Sequence, residues 1–508
     1  MKHPYMKHSL LCLAILVVAA TAPARAADFS WNSSSAGADW SVPGSWSVSG
    51  SDGDGIPDAD DTVVTPDLFG VSDVNGNFTI GALSYNSASS WSLIRQGTPS
   101  DQSLLTINGD LTKEGSGTLL FRQSDSTMGI HLNVLGNITM TGGTLAFAQN
   151  NTTDQSRLSV GGSVTITNAI LSIDNNKNVS IGGVLTLNGT GRVNTVGQGI
   201  TGSGSNIFAV GGLSSADSTT VISNNTNPTS GYTSVLELNN ASGTSTFAGA
   251  IKNGTASTNV LSVEKNGVGT QVFSGAGNIY TGTTTVNAGT LLVNNTTGSG
   301  SGTGAVAVNG TGTLGGTGFI NPGGTNGISV ASGGFLAPGT IVPGASIGTL
   351  TLNLGSTTGT VNLTGGGDFK FELGTVGVTI GASGTSDLLV LTGASASDVA
   401  FGGGNNIDLL GTATAEGYYK LFDTSLDATT WTGLTLGGAT TGGNLIAGGL
   451  SASNYGGGFS GELILADGTA GTSLGDIYLH VVPEPSTVLL SGLGLTVVLF
   501  GIRRRQNA

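Results

Sequence analysis

The 508-residue chain predicts an all-β fold, a parallel β-helix with short β-sheet caps and one C-terminal transmembrane helix, and three features carry that reading. Its 87 glycines far exceed an ordinary usage of about 7%, yet they follow no Gly-X-Y period. With 38% apolar and only 9% charged residues a core can form. Short strands separated by glycine turns therefore fit better than a disordered coil. The second feature is a recurring phrase, Leu-x-Ile/Val-x-Gly-x-aliphatic, that starts near Leu105. The third is an uncharged, mostly apolar run near the end, from Val488 to Ile502.

Residues 1–26 read as a secretory signal peptide. Basic Lys2 and Lys7 precede an apolar run from Leu10 to Ala20, and Ala24-Arg25-Ala26 forms an A-x-A site that places cleavage before Ala27. A membrane anchor is the alternative, but the run is shorter than the roughly 20 residues a spanning helix needs. Cys12, the single cysteine, lies inside this leader. The mature chain then has no disulfide, no thiolate metal site and no Cys nucleophile, and the residues around Cys12 do not suit lipidation.

Residues 27–100, with Trp31, Trp40, Trp46 and Trp91, are expected to form an N-terminal β cap. They include an acidic turn, Asp52-Gly-Asp54-Gly-Ile-Pro-Asp58-Ala-Asp60-Asp61. Alternating Asp and Gly lets several carboxylates turn toward one hard cation, so Asp52, Asp54, Asp58 and Asp60 are candidate ligands for Ca2+, which takes about six to eight oxygens. The turn resembles a thrombospondin type 3 calcium repeat, although one copy is present and the bidentate Glu of an EF-hand is missing. A solvated turn in a Trp-rich entry segment is the competing reading. No other cofactor is expected.

Residues 101–354 carry the repeats. The phrase occurs at Leu105-Thr-Ile107-Asn-Gly109-Asp-Leu111, Leu132-Asn-Val134-Leu-Gly136-Asn-Ile138, Leu158-Ser-Val160-Gly-Gly162-Ser-Val164 and Val179-Ser-Ile181-Gly-Gly183-Val-Leu185, with a weaker copy at Phe208-Ala-Val210-Gly-Gly212-Leu213. Period-2 alternation on both sides of a glycine means two short strands meeting at a corner, each with one face inward. Corners recurring every 20 to 30 residues or so suggest coils stacked about 4.8 Å apart, roughly 14 of them in a rod on the order of 70 Å long. A β-sandwich with irregular loops is the rival architecture.

From Leu261 to Leu354 the texture becomes Gly277-Asn278-Ile279-Tyr280-Thr281-Gly282-Thr283-Thr284-Thr285-Val286-Asn287-Ala288-Gly289-Thr290-Leu291, followed by Gly312-Thr313-Leu314-Gly315-Gly316-Thr317-Gly318 and Leu336-Ala337-Pro338-Gly339. This stretch, 261–354, resembles the autotransporter-associated β-strand repeat of passenger domains. The resemblance implies a right-handed β-helix. Asn287 or Asn278 is expected to stack on polar neighbours along the rod. One departure separates the chain from an autotransporter: nothing after Asp368 alternates like a membrane barrel of roughly a dozen strands. Transport of the chain by itself across an outer membrane is therefore not expected.

Residues 355–482 hold conventional short strands and read as a C-terminal β region that covers the rod's exposed end. Residues 483–508 follow: Pro483-Glu484-Pro485, the apolar run, then Arg503-Arg504-Arg505. The prolines keep the segment around Glu484 extended and accessible. The run can insert in a membrane, at about 15 residues near the short limit for a span. Its arginines would sit at the cytoplasmic face of the inner membrane. This tail resembles the PEP-CTERM sorting signal of Gram-negative bacteria, which implies recognition of Pro483, Glu484 and Pro485 by an exosortase, a membrane protease-transpeptidase.

Between Ala27 and Val482 stand 10 Lys and Arg against 29 Asp and Glu, a formal charge of −19. Phosphate binding needs basic clusters, so nucleic acid is not an expected partner. His131 and His480 are the only histidines beyond the leader, and no G-x-S-x-G, HExxH or P-loop pattern occurs. The chain is therefore expected to be a non-enzymatic, exported surface or extracellular-matrix protein, with exopolysaccharide as a possible partner. An adhesin or carbohydrate-binding rod, using exposed Trp and Asn, is the alternative. A polysaccharide lyase is the third reading, and it lacks a recurring carboxylate group with a basic neighbour.

Overall fold

The computed structural model describes residues 26–483, less a set of internal segments of which 196–205, 425–444 and 447–458 are the longest. Strands pair in parallel with the strand one coil later. One coil runs through Ser103–Ile107, Leu111–Glu114 and Thr118–Gln123, and the next through Ile130–Val134, Ile138–Met140 and Thr144–Ala148. Each strand lies on its counterpart, as Leu105 on Leu132, Leu111 on Ile138 and Leu119 on Leu145 show. The result is three stacked faces, the arrangement of a parallel β-helix. Two faces merge into one 25-stranded sheet because long strands such as Asn178–Asn188 and Thr284–Val293 bend around the shared corner. The third face is a 9-stranded sheet early in the chain and a 7-stranded sheet late in it.

Alternation sends one side of each strand inward, and the inward residues stack in columns. Ile80, Ile107, Val134, Val160, Ile181, Val210, Leu238, Lys265, Val286, Val308 and Val330 lie in successive register. All are buried, the lysine included. The repeated glycine of the sequence phrase is explained at the adjoining corner. Gly136, Gly162 and Gly183 each donate their N–H to the carbonyl of the glycine below, at 3.0, 3.0 and 2.9 Å. A Cβ on any of them would fall 2.5 to 2.8 Å from that carbonyl oxygen, so close stacking selects glycine here.

The coils of the passenger-like stretch are shorter. Val263, Thr284, Val306 and Ile328 stack in register, 21 or 22 residues apart. Among the described residues no third-face strand forms between Ala250–Lys252 and Phe319–Ile320. Asn278 spans this gap: its Oδ1 accepts the Ile251 N–H at 2.9 Å and its Nδ2 donates to Gly300 O at 2.8 Å. Asn287 forms a side-chain ladder, donating to Asn266 at 2.8 Å and accepting from Asn309 at 3.2 Å. Both asparagines thus tie neighbouring coils, Asn287 through polar side chains and Asn278 through backbone groups.

The parallel winding extends beyond the 101–354 span that periodicity marks. It begins with β1 (Asp28–Trp31) on β4 (Thr62–Thr65) and runs to Leu388–Thr392 on Gly417–Thr424. The outer coils do not carry the full glycine phrase, so periodicity does not mark them, although Gly81 keeps the same corner and accepts the Gly109 N–H at 2.6 Å. True end structures are small. β3 (Trp46–Ser49) pairs antiparallel with β1 and covers its free edge. Behind it Trp31, Trp40, Trp46 and Trp91 pack edge-on or stacked, with Trp46 Nε1 donating to Trp40 O at 3.0 Å. All four are at most 5% exposed. The expected glycan-facing tryptophan surface is thereby corrected: these rings fill the interior of the first coils.

Candidate processing sites at the two ends

The closing strand of the chain, Ile477–Pro483, lies between Gly417–Thr424 and Phe459–Leu465, antiparallel to both. Leu445–Ile446 pairs next to Phe459–Leu465. This small antiparallel unit covers the last described strand of the third face. Its core is apolar, with Leu463, Ile477, Leu479 and Val481 fully buried.

A charged group fixes the closing strand's start. Lys420 Nζ lies 2.9 Å from the buried Asp476 and 3.2 Å from Asp423. Burial opposes the charge on Lys420, but the two carboxylates outweigh it and hold the ammonium above its ordinary range. Asp476 also accepts the Thr424 N–H at 3.1 Å. His480 stacks flat on Tyr418, ring centroids 4.1 Å apart, and so has a packing role on the strand.

Pro483 is the last residue of the closing strand, opposite Phe459. The sorting triplet thus starts where the sheet stops, and a proline suits that end because it has no N–H to offer a further rung. Glu484, Pro485, the apolar run from Val488 to Ile502 and Arg503, Arg504 and Arg505 lie outside the described residues. Among the described residues no helix is long and apolar enough to cross a membrane.

Two family models match the chain. One, described as a PEP-CTERM protein-sorting motif, covers residues 481–505, and the other, described as a passenger-associated-transport-repeat, covers residues 263–293. The tail is a PEP-CTERM sorting motif. The PEP-CTERM motif implies an exported, surface-directed protein that is sorted by an exosortase, and the passenger repeat accords with export. The repeat match spans the first short coil of the 261–354 stretch and the strand Thr284–Val293 that opens the next, and the PEP-CTERM match starts at Val481, two residues before the closing strand ends. No curated protein matches the chain.

At the other end, Ala24 and Asp52 lie outside the described residues. Ala26 is exposed and Ala27 is buried at 1% exposure. The Asp54 and Asp58 carboxylates bend back onto their own turn and accept the Ile56 and Asp60 N–H groups at 2.9 and 3.3 Å. Among the described residues no three His, Cys, Asp or Glu side chains gather as a metal site. The side chain that organises the turn is Asp61, outside the proposed ligand set. It is 3% exposed, accepts the Asp58 N–H at 3.0 Å through Oδ2 and accepts the Ala27 N–H at 2.8 Å through Oδ1.

Two further groups escaped the sequence reading. Lys113 and Lys265 are fully buried on inward positions. Lys113 Nζ donates to the carbonyls of Glu114, Gly115 and Gly142 at 2.6 to 3.0 Å and sits 5.0 Å from the Tyr85 ring centre. Lys265 donates to the carbonyls of Gly267 and Ala288. Burial pushes both ammonium groups down to about 8. The signal was present in the alternation, since Leu111-Thr-Lys113 and Leu261-Ser-Val263-Glu-Lys265 keep the lysines in phase with the inward leucines and valine.

Proposed function

We propose that this chain is a non-enzymatic structural rod of a Gram-negative cell surface or extracellular matrix. Its leader is removed after Ala26. The apolar run and Arg503, Arg504 and Arg505 hold it transiently in the inner membrane until an exosortase-like protease acts at Pro483-Glu484-Pro485. Exopolysaccharide is the partner such a matrix offers. The winding is taken as right-handed, the hand that crossovers between parallel strands almost always adopt.

The observation that carries this reading is the place of Pro483 at the edge of the closing strand. The closing strand ends on the first residue of the sorting triplet, so a tail removed or exchanged beyond Pro485 leaves that strand whole. A glycan-binding rod is less favoured, because the four cap tryptophans are interior.

Intact mass of the protein from native cells tests the proposal. A species running from Ala27 to the neighbourhood of Pro485, with or without an added group, is expected. A species that keeps Arg505 makes the tail a permanent anchor and sinks the sorting step.

A further inference from the structure

Hydrolysis of the Ala26–Ala27 bond adds one water across it: the carboxylate departs with the leader and an α-ammonium group stays on Ala27. That nitrogen already has a place in the fold. It donates to Asp61 Oδ1 at 2.8 Å, while the Ala27 carbonyl accepts the N–H of the next residue, Thr62, at 2.9 Å. Asp61 is itself held on the other side, its carbonyl accepting from Gly81 and Ala82 at 2.8 and 3.1 Å. Gly50 passes so close that a Cβ there would lie 3.2 Å from Ala27. The site around the residue-27 nitrogen is thus built and enclosed.

We propose that Asp61 is the receptor for the mature amino terminus: leader removal turns the Ala27–Asp61 hydrogen bond into a buried ion pair that fastens β1 to the first coil. This rests on the leader reading above. A hydrogen bond between two ionised partners is roughly twice as strong as a neutral one. A buried carboxylate is also costly without an opposite charge nearby. Among the described residues the titratable groups on the elements that meet here are Asp54, Asp58, Asp60 and Asp61 on the turn, Asp28 on β1 and Tyr85 on the strand Ala82–Asn86, none of them cationic, while β3 and β4 bring none. A positive charge is what this corner lacks.

The test reads the α-amine directly. Protein from native cells is checked by intact mass for Ala27 as its first residue, and the acylation rate of its amino terminus is followed against pH by peptide mapping. An ordinary α-amine titrates near 7.7 to 8.0, and about one unit higher, a tenfold gain in proton affinity, is expected here. Asp61→Asn returns the midpoint to the ordinary value. So does a chain that retains Ala26 as its first residue, which leaves Asp61 intact and displaces the charge. A mature Ala27 chain that titrates like both variants overturns the pairing alone. A native first residue other than Ala27 removes the leader reading and the pairing together, and the mass shows that this is the cause.

Discussion

Gln271 reaches across two coils to Leu213 and completes both halves of its backbone pairing: the Leu213 N–H donates to Gln271 Oε1 at 3.1 Å and Gln271 Nε2 donates to Leu213 O at 2.8 Å. Nε2 also donates to Ser245 O at 3.1 Å in the coil between. The strand Thr244–Phe247 meets its lower neighbour only through the single bridge Ser215 to Phe247. A buried amide fills the rungs that the backbone leaves open.

Gln271→Leu is therefore expected to leave a buried N–H and a buried C=O without partners, at about 1–3 kcal/mol for each group. Hydrogen exchange at the Leu213 amide is the local readout and should accelerate, while Leu145 in an early coil stays protected. Equal protection at Leu213 in both proteins would falsify the assignment.

The glycine column predicts a position-specific cost. Gly136→Ala puts a methyl 2.5 Å from Gly109 O, where backbone must shift, whereas a Cβ on Gly44 meets nothing within 4 Å. Overpacking of this kind costs about 1–3 kcal/mol. Thermal unfolding should show a clear drop in Tm for Gly136→Ala and none for Gly44→Ala.

Lys113 and Lys265 give the rod an alkaline stability rise. Folded, they titrate at about 8, against 10.5 for an ordinary lysine. Between those values the unfolded chain binds more protons, so their contribution makes stability increase with pH across that window and stay flat below it. The double variant Lys113→Met with Lys265→Met should lose that rise, which Tm measured from pH 7 to 10.5 against the unsubstituted protein will reveal.

Asp387 works in the opposite sense. Burial raises it to about 7 from 3.8, although the Gly348 and Glu372 N–H groups that it accepts pull the other way. The folded state binds the extra proton between those values, so stability falls as pH climbs from about 4 to 7. Asp387→Asn should flatten that slope and lower stability at pH 4, because the two N–H groups fall on separate oxygens and the Nδ2 of Asn cannot accept, whereas both oxygens of the protonated carboxyl still can. A pH series of denaturant midpoints checks both parts.

Where the chain is cut decides whether the end stays closed. A chain stopped after Pro485 keeps the whole closing strand and should remain monodisperse by light scattering. One stopped after Asp476 loses Ile477–Pro483, the strand between two partners, and leaves open edges that associate. Equal behaviour of the two chains would assign the closure to some other segment.

The middle of the rod was legible because one corner repeats: the aligned glycines give the coil length, and alternation gives the buried columns. The side-chain ladder at Asn287 was legible from its place in the passenger-like stretch, whereas the backbone partners of Asn278 lie on other coils and were not. The outer coils were not, since they do not repeat the full phrase and only the pairing reveals them. Composition misled for the tryptophans, which suggested a ligand surface but are interior because β1 and β3 fold back over them. The acidic turn pointed to Asp52, Asp54, Asp58 and Asp60. It was Asp61, adjacent in sequence, that the fold buried, because a long-range partner at Ala27 cannot be read from local spacing. Lys113 and Lys265 obey the alternation, yet a charge in an inward phase contradicts the expectation that lysine stays solvated.

The closing strand also sets how the rod bears load. A pull on the chain at Pro483 runs along the axis of Ile477–Pro483, whose neighbours on both sides are antiparallel to it. Such tension shears many rungs at once and does not peel them one by one. In the tethered state proposed above, a rod held through its sorting end would be gripped along the full length of a strand.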